Sequence, residues 1–219
     1  MATVLHPLEQ ITQRVILRHV SWETYERLLS EHEDCSSPRF TYDRGVLEIM
    51  SPSIKHERLN RSIATICEVI AEELHIELDN AGSTTFKRED LARGFEPDSC
   101  FYVRNVERVR DRDQIDLTVD PPPDLVIEID ISRSSLDRFP IFANIGVPEV
   151  WRYDGTRLTI FTLGAGTYQI LEASAVFPGV TSQIISQFIA ESKTMPHTAW
   201  LRRVRAWARR QRRGGHKPL

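Results

Sequence analysis

The stretch Pro123-Asp124-Leu125-Val126-Ile127-Glu128-Ile129-Asp130-Ile131 decides how this chain reads. It is short, follows the run Pro121-Pro122-Pro123, and is rich in β-branched residues, the pattern of a strand inside a sheet. Side chains alternate between the faces of a strand. Leu125, Ile127, Ile129 and Ile131 therefore share one side, and Asp124, Val126, Glu128 and Asp130 the other. One face is apolar and the other acidic. Burying Glu128 and Asp130 is costly unless a cation sits between them, and a divalent metal ion meets that need.

A second acid lies thirty positions upstream, where Pro97-Asp98 opens a strand running through Ser99, Cys100, Phe101, Tyr102 and Val103. That separation suits neighbouring strands. Two carboxylates converging from adjacent strands form an oxygen-rich, partly open site, which Mg²⁺ prefers because it keeps its waters and accepts one or two carboxylates. Read alone, Pro-Asp is equally a turn opening with a solvated acid. The pair leaves several metal-site functions open.

Working outward, residues 14–20 read as a strand, and Ser21 is placed to cap a helix carrying Tyr25, Leu28 and Leu29. Arg39 to Tyr42 and Val46 to Met50 flank Asp43-Arg44-Gly45 as a β-hairpin. From Ser53 to Leu74, the residues Leu59, Ile63, Ile66, Cys67, Ile70 and Leu74 recur three and four apart, which predicts a long amphipathic helix. Thr84 to Lys87 and Asp98 to Val103 read as strands joined by a polar loop. Pro140 is tolerated in a first helical turn, so a short helix is expected from about Asp137 to Gly146. A hairpin over 149–153 and 157–163 and a strand near 168–171 follow, then helices over 182–191 and from about Thr198. The class is α/β: a mixed sheet flanked by helices, with N-terminal strand, helix and hairpin elements and an arginine-rich C-terminal helix.

The chain has 219 residues and a formal net charge of −3. Residues 201–219 hold seven arginines, one lysine and no acid, which leaves 20 basic and 31 acidic residues before them. The body is acidic and the tail basic. Such asymmetry suits either an anionic partner at the tail, nucleic acid first, or a solvated helix face. Three scattered cysteines, Cys35, Cys67 and Cys100, read as reduced, core-filling thiols. No apolar run reaches the ~20 residues of a membrane span, and no secretory signal opens the sequence. These features point to a cytoplasmic protein. The chain divides into an arm over 1–14, a main domain over 15–192 and a basic helix and tail over 193–219.

Several motifs occur in one order: Gly45-Val-Leu-Glu-Ile-Met-Ser-Pro-Ser53, His56-Glu57, Pro97-Asp98, Pro123-Asp124 to Asp130, and Gly146-Val-Pro-Glu-Val-Trp151-Arg-Tyr-Asp154. Across about residues 15–190 the chain resembles the restriction-endonuclease family abundant in cyanobacteria, within the PD-(D/E)xK nuclease superfamily. The resemblance implies a mixed sheet flanked by helices, Mg²⁺ or Mn²⁺ held by Asp98 and Glu128, and a water attacking phosphorus in line. It implies DNA as the substrate, and a homodimer, since cutting both strands needs two sites. Glu57 matches an acid that some members add to the site. His56 either orients Glu57, contacts phosphate, or is an ordinary exposed histidine near a helix start. Glu149, Trp151 and Asp154 carry no evident chemistry, Trp151 reading as core and Asp154-Gly155 as a turn.

The departure is the lysine. The motif position on the strand is Asp130, and the matching cation on the next helix is Arg138. Arginine does not release its proton near neutral pH, so Arg138 suits an electrostatic role, with Asp130 or Glu128 receiving the water's proton. Lys87 is a second candidate cation, or a surface lysine. Arg202, Arg203, Arg205, Arg209 and Arg210 on the last helix either grip phosphates or pair with the acidic body of a second subunit. The alternative function is a nucleic-acid-binding or regulatory module that keeps the nuclease fold without its activity.

Overall fold

The acid-bearing stretch forms a strand buried on both faces, at the centre of the larger of two sheets. The computed structural model describes residues 12–131 and 136–214. In chain order these form β1 (Gln13–Arg18), α1 (Trp22–Glu31), β2 (Arg39–Asp43), β3 (Val46–Ser51), α2 (Ile54–Leu74), β4 (Asp79–Gly82), β5 (Phe86–Arg88), β6 (Arg93–Phe95), β7 (Ser99–Tyr102) and α3 (Val106–Val109). There follow β8 (Leu125–Ile129), α4 (Phe139–Ile145), β9 (Glu149–Tyr153), β10 (Leu158–Gly164), β11 (Thr167–Leu171), α5 (Ser182–Ser192) and α6 (His197–Gly214). Most of the expected arm lies outside the described residues, and Gln13 and Arg14 already belong to β1.

The smaller sheet is antiparallel, in the order β1-β3-β2-β6-β5, and α1 closes it over Tyr25, Phe40, Tyr42 and Leu47. The larger sheet runs β11-β10-β9-β8-β7-β4 and is mixed: β8 and β9 are parallel, its other pairs antiparallel. On one face Leu125, Ile127, Ile129, Trp151 and Tyr153 pack against α2, α5 and α6. On the other, Cys100, Val126 and Val150 meet Ile141, Phe142 and Ile145 of α4 and the aromatics Phe86 and Phe95 of the smaller sheet. The two sheets thus share that second core.

Local sequence explains most boundaries. The Ser21 and Ser53 hydroxyls accept the N–H groups of Thr24 and His56, each at 3.2 Å, and so start α1 and α2. Pro140 sits in the first turn of α4, and Gly146, at φ 92°, ends that helix in the left-handed conformation glycine tolerates. Other expectations required correction. The segment between the strands expected at Thr84 and Asp98, read as a polar loop, contains a further strand, β6, and β5 and β7 lie in different sheets. Strand β6 is Arg-Gly-Phe and β4 is Asp-Asn-Ala-Gly, too short and too poor in β-branched residues to show a period. Gly94 in β6 is required by space, because a Cβ there would strike the Tyr25 hydroxyl.

The acidic face expected for β8 is not uniformly acidic. Val126 joins the second core, and Asp124 accepts the N–H groups of Val103 and Arg104 at 2.8 Å and of Asn105 at 3.1 Å, holding the turn after β7. Trp151 is core, as expected. Glu149 accepts from Trp151 Nε1, Ser174 Oγ and the Ala175 N–H, which makes it a structural acid. Asp154 accepts from the Thr156 and Arg157 N–H groups as a turn residue, which holds its carboxyl down to about 2. Cys67 and Cys100 are buried thiols, whereas Cys35 is exposed and fills no core.

Helix α6 docks on α2 and α5. Trp200, Val204, Trp207 and Ala208 enter the larger core, and the Trp200 indole donates to the Phe188 carbonyl at 2.9 Å. Among the described residues no helix is long and apolar enough to cross a membrane.

Candidate active site

Asp98 stands one step beyond the Ser99↔Ile127 pair of β7 and β8, directly opposite Glu128. Antiparallel partners share a face, so both carboxylates project toward the second core at the end of the ladder, where the smaller sheet and α2 meet them. The sequence expectation of two acids on neighbouring strands therefore agrees with the geometry. Both are nearly covered: Asp98 is 2% exposed and Glu128 9%.

Guanidinium groups satisfy much of this buried charge. Arg39 of β2 donates to Asp98 Oδ1 and, at 2.6 Å, to Glu57 Oε1. The Ile129 N–H donates to Asp98 Oδ2 at 2.6 Å, and His56 Nε2 lies 3.2 Å from that oxygen. Asn60 donates from Nδ2 to the Asp98 backbone carbonyl at 2.8 Å and accepts at Oδ1 from the Ser99 hydroxyl at 2.9 Å, fixing the start of β7 against α2. Around Glu128, Arg138 donates Nη1 to Oε2 at 2.7 Å and Nη2 to Glu48 Oε1 at 2.6 Å. Arg14 donates to the same Glu48 oxygen at 2.9 Å. Three arginines thus face the four carboxylates Glu48, Glu57, Asp98 and Glu128.

The electrostatics follow from burial and these partners. Burial alone would raise the Asp98 pKa, but His56, Arg39 and Arg138 more than offset it, and the group lies below its ordinary value. Glu128 moves the other way. Its burial outweighs the pull of Arg138, the Asp98 charge adds to the rise, and its carboxyl reaches about 7. Arg138 is buried too, which works against its charge, yet Glu128, Glu48 and Asp98 raise its pKa further and keep it protonated.

Of the other expected residues, Asp130 is half-buried and lines the same cavity as Glu128, about 290 Å³ in volume. Glu57 reaches the site through Arg39. His56 is fully buried, so the exposed-histidine reading does not hold. Lys87 pairs with Glu26 at 2.8 Å and is half-exposed, a surface lysine. Arg39, Glu48 and Arg14 were not anticipated. Glu48 carried a legible sign, a carboxylate within the apolar strand Val-Leu-Glu-Ile-Met, the same sign that marked Glu128.

The helix α6 arginines divide. Arg205 pairs with Glu72 at 2.8 Å, Arg209 with Glu73 at 2.8 Å, and Arg203 with Glu191 at 3.6 Å. Arg202 and Arg210 are exposed and, with Arg205, Arg209 and Arg213, line a groove of about 430 Å³. The acidic partners found are those of the chain itself.

These residues fit a hard divalent cation. Glu128 Oε1 is buried and accepts no hydrogen bond among the described residues, and a bare carboxylate oxygen in the interior calls for a positive partner. Asp98 is the second oxygen donor, and Arg39 retains Glu57 if Asp98 turns to an ion. Among the described residues no cluster of three or more His, Cys, Asp or Glu side chains could hold a metal ion.

The mixed sheet, its flanking helices and the two opposed acids define a restriction-endonuclease-like fold. The chain belongs to the Uma2 family, described as "Putative restriction endonuclease", whose family model matches residues 22–193. Membership makes its function nuclease-like. No curated protein matches the chain. Helix α6 lies beyond the matched residues.

The double bridge at Arg138 yields a stability prediction. An ammonium group lacks the planar fork that reaches Glu48 and Glu128 together, so Arg138→Lys is expected to cost about 1–2 kcal/mol. Urea unfolding measures it; an unchanged midpoint would show the bridge to be without net value.

Proposed function

We propose that this protein hydrolyses phosphodiester bonds in DNA with Mg²⁺ or Mn²⁺ held by Asp98 and Glu128. The observation that carries this reading is the bare, buried Glu128 Oε1 opposite Asp98. When bound, the ion would make an attacking water more acidic and neutralise charge on the phosphoryl oxygens. Arg138 orients Glu128 through its fork and adds fixed positive charge where the reacting phosphate would gather negative charge. It does not act as a base. Asp130 faces the same cavity and is placed to receive a proton from water. Glu57 and His56 position Asp98, one by holding Arg39 and the other at 3.2 Å from Oδ2.

The α6 residues Arg202, Arg203, Arg205, Arg209 and Arg210 are the proposed contacts to backbone phosphates outside the cleavage site, with Arg202 and Arg210 the most available. We read the working form as a cytoplasmic homodimer, and light scattering on the preparation used below tests its subunit number. One observation favours a second reading, a nuclease-fold module that binds without cutting: Arg39 and the Ile129 N–H already occupy both oxygens of Asp98.

Nicking of supercoiled plasmid in Mg²⁺ or Mn²⁺, run beside calorimetric titration of the ion, separates the two. Glu128→Gln keeps an acceptor for Arg138 and removes the charge, and is expected to cut at least a hundredfold more slowly, on the order of 3 kcal/mol in the barrier. Nicking by the wild type that persists in Glu128→Gln would defeat the assignment. Tight DNA binding without metal uptake or nicking would favour the binding module.

A further inference from the structure

We propose that Arg152 is a phosphate-binding residue of this site, gripping a backbone phosphate of the DNA beside the one that is cut. The proposal rests on reading the site as a nuclease and deepens it by adding a substrate contact. In the parallel pairing of β8 with β9, Glu128 is in register with Arg152. Asp98, Glu128 and Arg152 therefore form one transverse row on the same face of three neighbouring strands, spaced ~4.8 Å from strand to strand. The row runs acid, acid, cation, the order needed for an ion at one end and the anionic substrate at the other.

The state of the guanidinium strengthens the assignment. Arg152 lines the cavity that Glu128, Asp130, Arg138 and Arg14 also line. Arg14 and Arg138 are engaged by Glu48 and Glu128. Arg152 is exposed, and no hydrogen bond or ion pair engages it among the described residues. It stacks instead on two rings, 5.0 Å from the Phe139 centroid and 5.2 Å from that of Phe161. Stacking on aromatic faces holds a guanidinium without using its N–H donors. The side chain is thus ordered before any ligand arrives, which lowers the entropy lost on binding, and its edge stays free for two phosphate oxygens.

The test is the affinity of the full chain for a short fluorescein-labelled DNA duplex in EDTA, across a salt series, with Arg152→Met and Arg152→Lys. Methionine keeps an apolar stem on Phe139 and Phe161 and removes the charge. It is expected to weaken binding about five- to tenfold at moderate salt and to lower the slope of log affinity against log salt by about one, while lysine preserves the slope. A purely structural stack would leave the slope unchanged. Arg152→Gln, read alongside, keeps the test decisive if Met disturbs the fold. An unchanged slope in the Met and Gln variants overturns the proposal, as does failure of the wild type to bind the duplex. The hydrolytic reading stands or falls separately, on nicking by Glu128→Gln, since the binding assay contains no metal ion.

Discussion

A chain ending at Met195 is expected to fail to fold, rather than to fold and merely lose affinity for DNA. It would lack Trp200, Val204, Trp207 and Ala208, all members of the larger core, and would expose the α2 and α5 surfaces that they cover. Trp200 is 2% exposed and Trp207 9%, and emptying either site to alanine costs about 3–5 kcal/mol. The whole stability of such a domain is about 5–15 kcal/mol. The single substitution Trp200→Ala should therefore lower the thermal midpoint by about 10 °C, and the truncation should give aggregates or a state without cooperative unfolding. A truncated chain that unfolds cooperatively near the wild-type midpoint would contradict this. Tests of the basic face must therefore leave the helix in place. Arg202→Glu and Arg210→Glu alter exposed side chains that enter no ion pair among the described residues, whereas Arg205 and Arg209 also hold α6 to Glu72 and Glu73. Glu73 reports this contact, since Arg209 beside it lowers its pKa.

Asp98→Ala is expected to remove metal-dependent nicking and to destabilise the fold together. The substitution leaves Arg39 with Glu57 alone, removes the acceptor of the Ile129 N–H, and leaves the buried His56 only the more distant Glu57 carboxylate, 4.0 Å away. Breaking one side of a buried ion pair costs about 3–5 kcal/mol, because the other charge stays buried without its partner. Asp98→Asn keeps the shape and an acceptor for Ile129, and should recover part of that stability while still failing to nick. Thermal unfolding and plasmid nicking on both variants check the pair of effects. If Asp98→Ala unfolds at the wild-type midpoint, the Arg39 contact contributes nothing net. If either variant nicks at the wild-type rate, Asp98 is no ligand.

The two acids were visible because each broke a local pattern. Glu128 interrupts an apolar strand, and Asp98 opens one thirty positions earlier. Arg39 showed no such break: it begins a hairpin strand, where a charged residue is ordinary. Its importance comes from Asp98, 59 positions away. Glu48 and Arg138 meet across 90 positions, and only the approach of the smaller sheet to the end of β8 brings them together. Lys87 and Arg152 show the reverse. The first looked like a candidate cation and lies at the surface with Glu26, while the second stood unremarked beside Trp151 until the β8–β9 register set it next to Glu128.

What the sequence alone determined is what depends on near neighbours. Serine caps, the Gly146 stop, the α2 stripe, the two hairpins and the buried character of β8 all follow from steric and hydrogen-bonding preferences a few residues in range. The tertiary structure decided the division into two sheets, the docking of α6 on α2, and which cations neutralise which acids. The physical reason is that a buried charge is stabilised by whatever long-range folding brings within hydrogen-bonding distance, and the partner's position in the chain leaves no local trace.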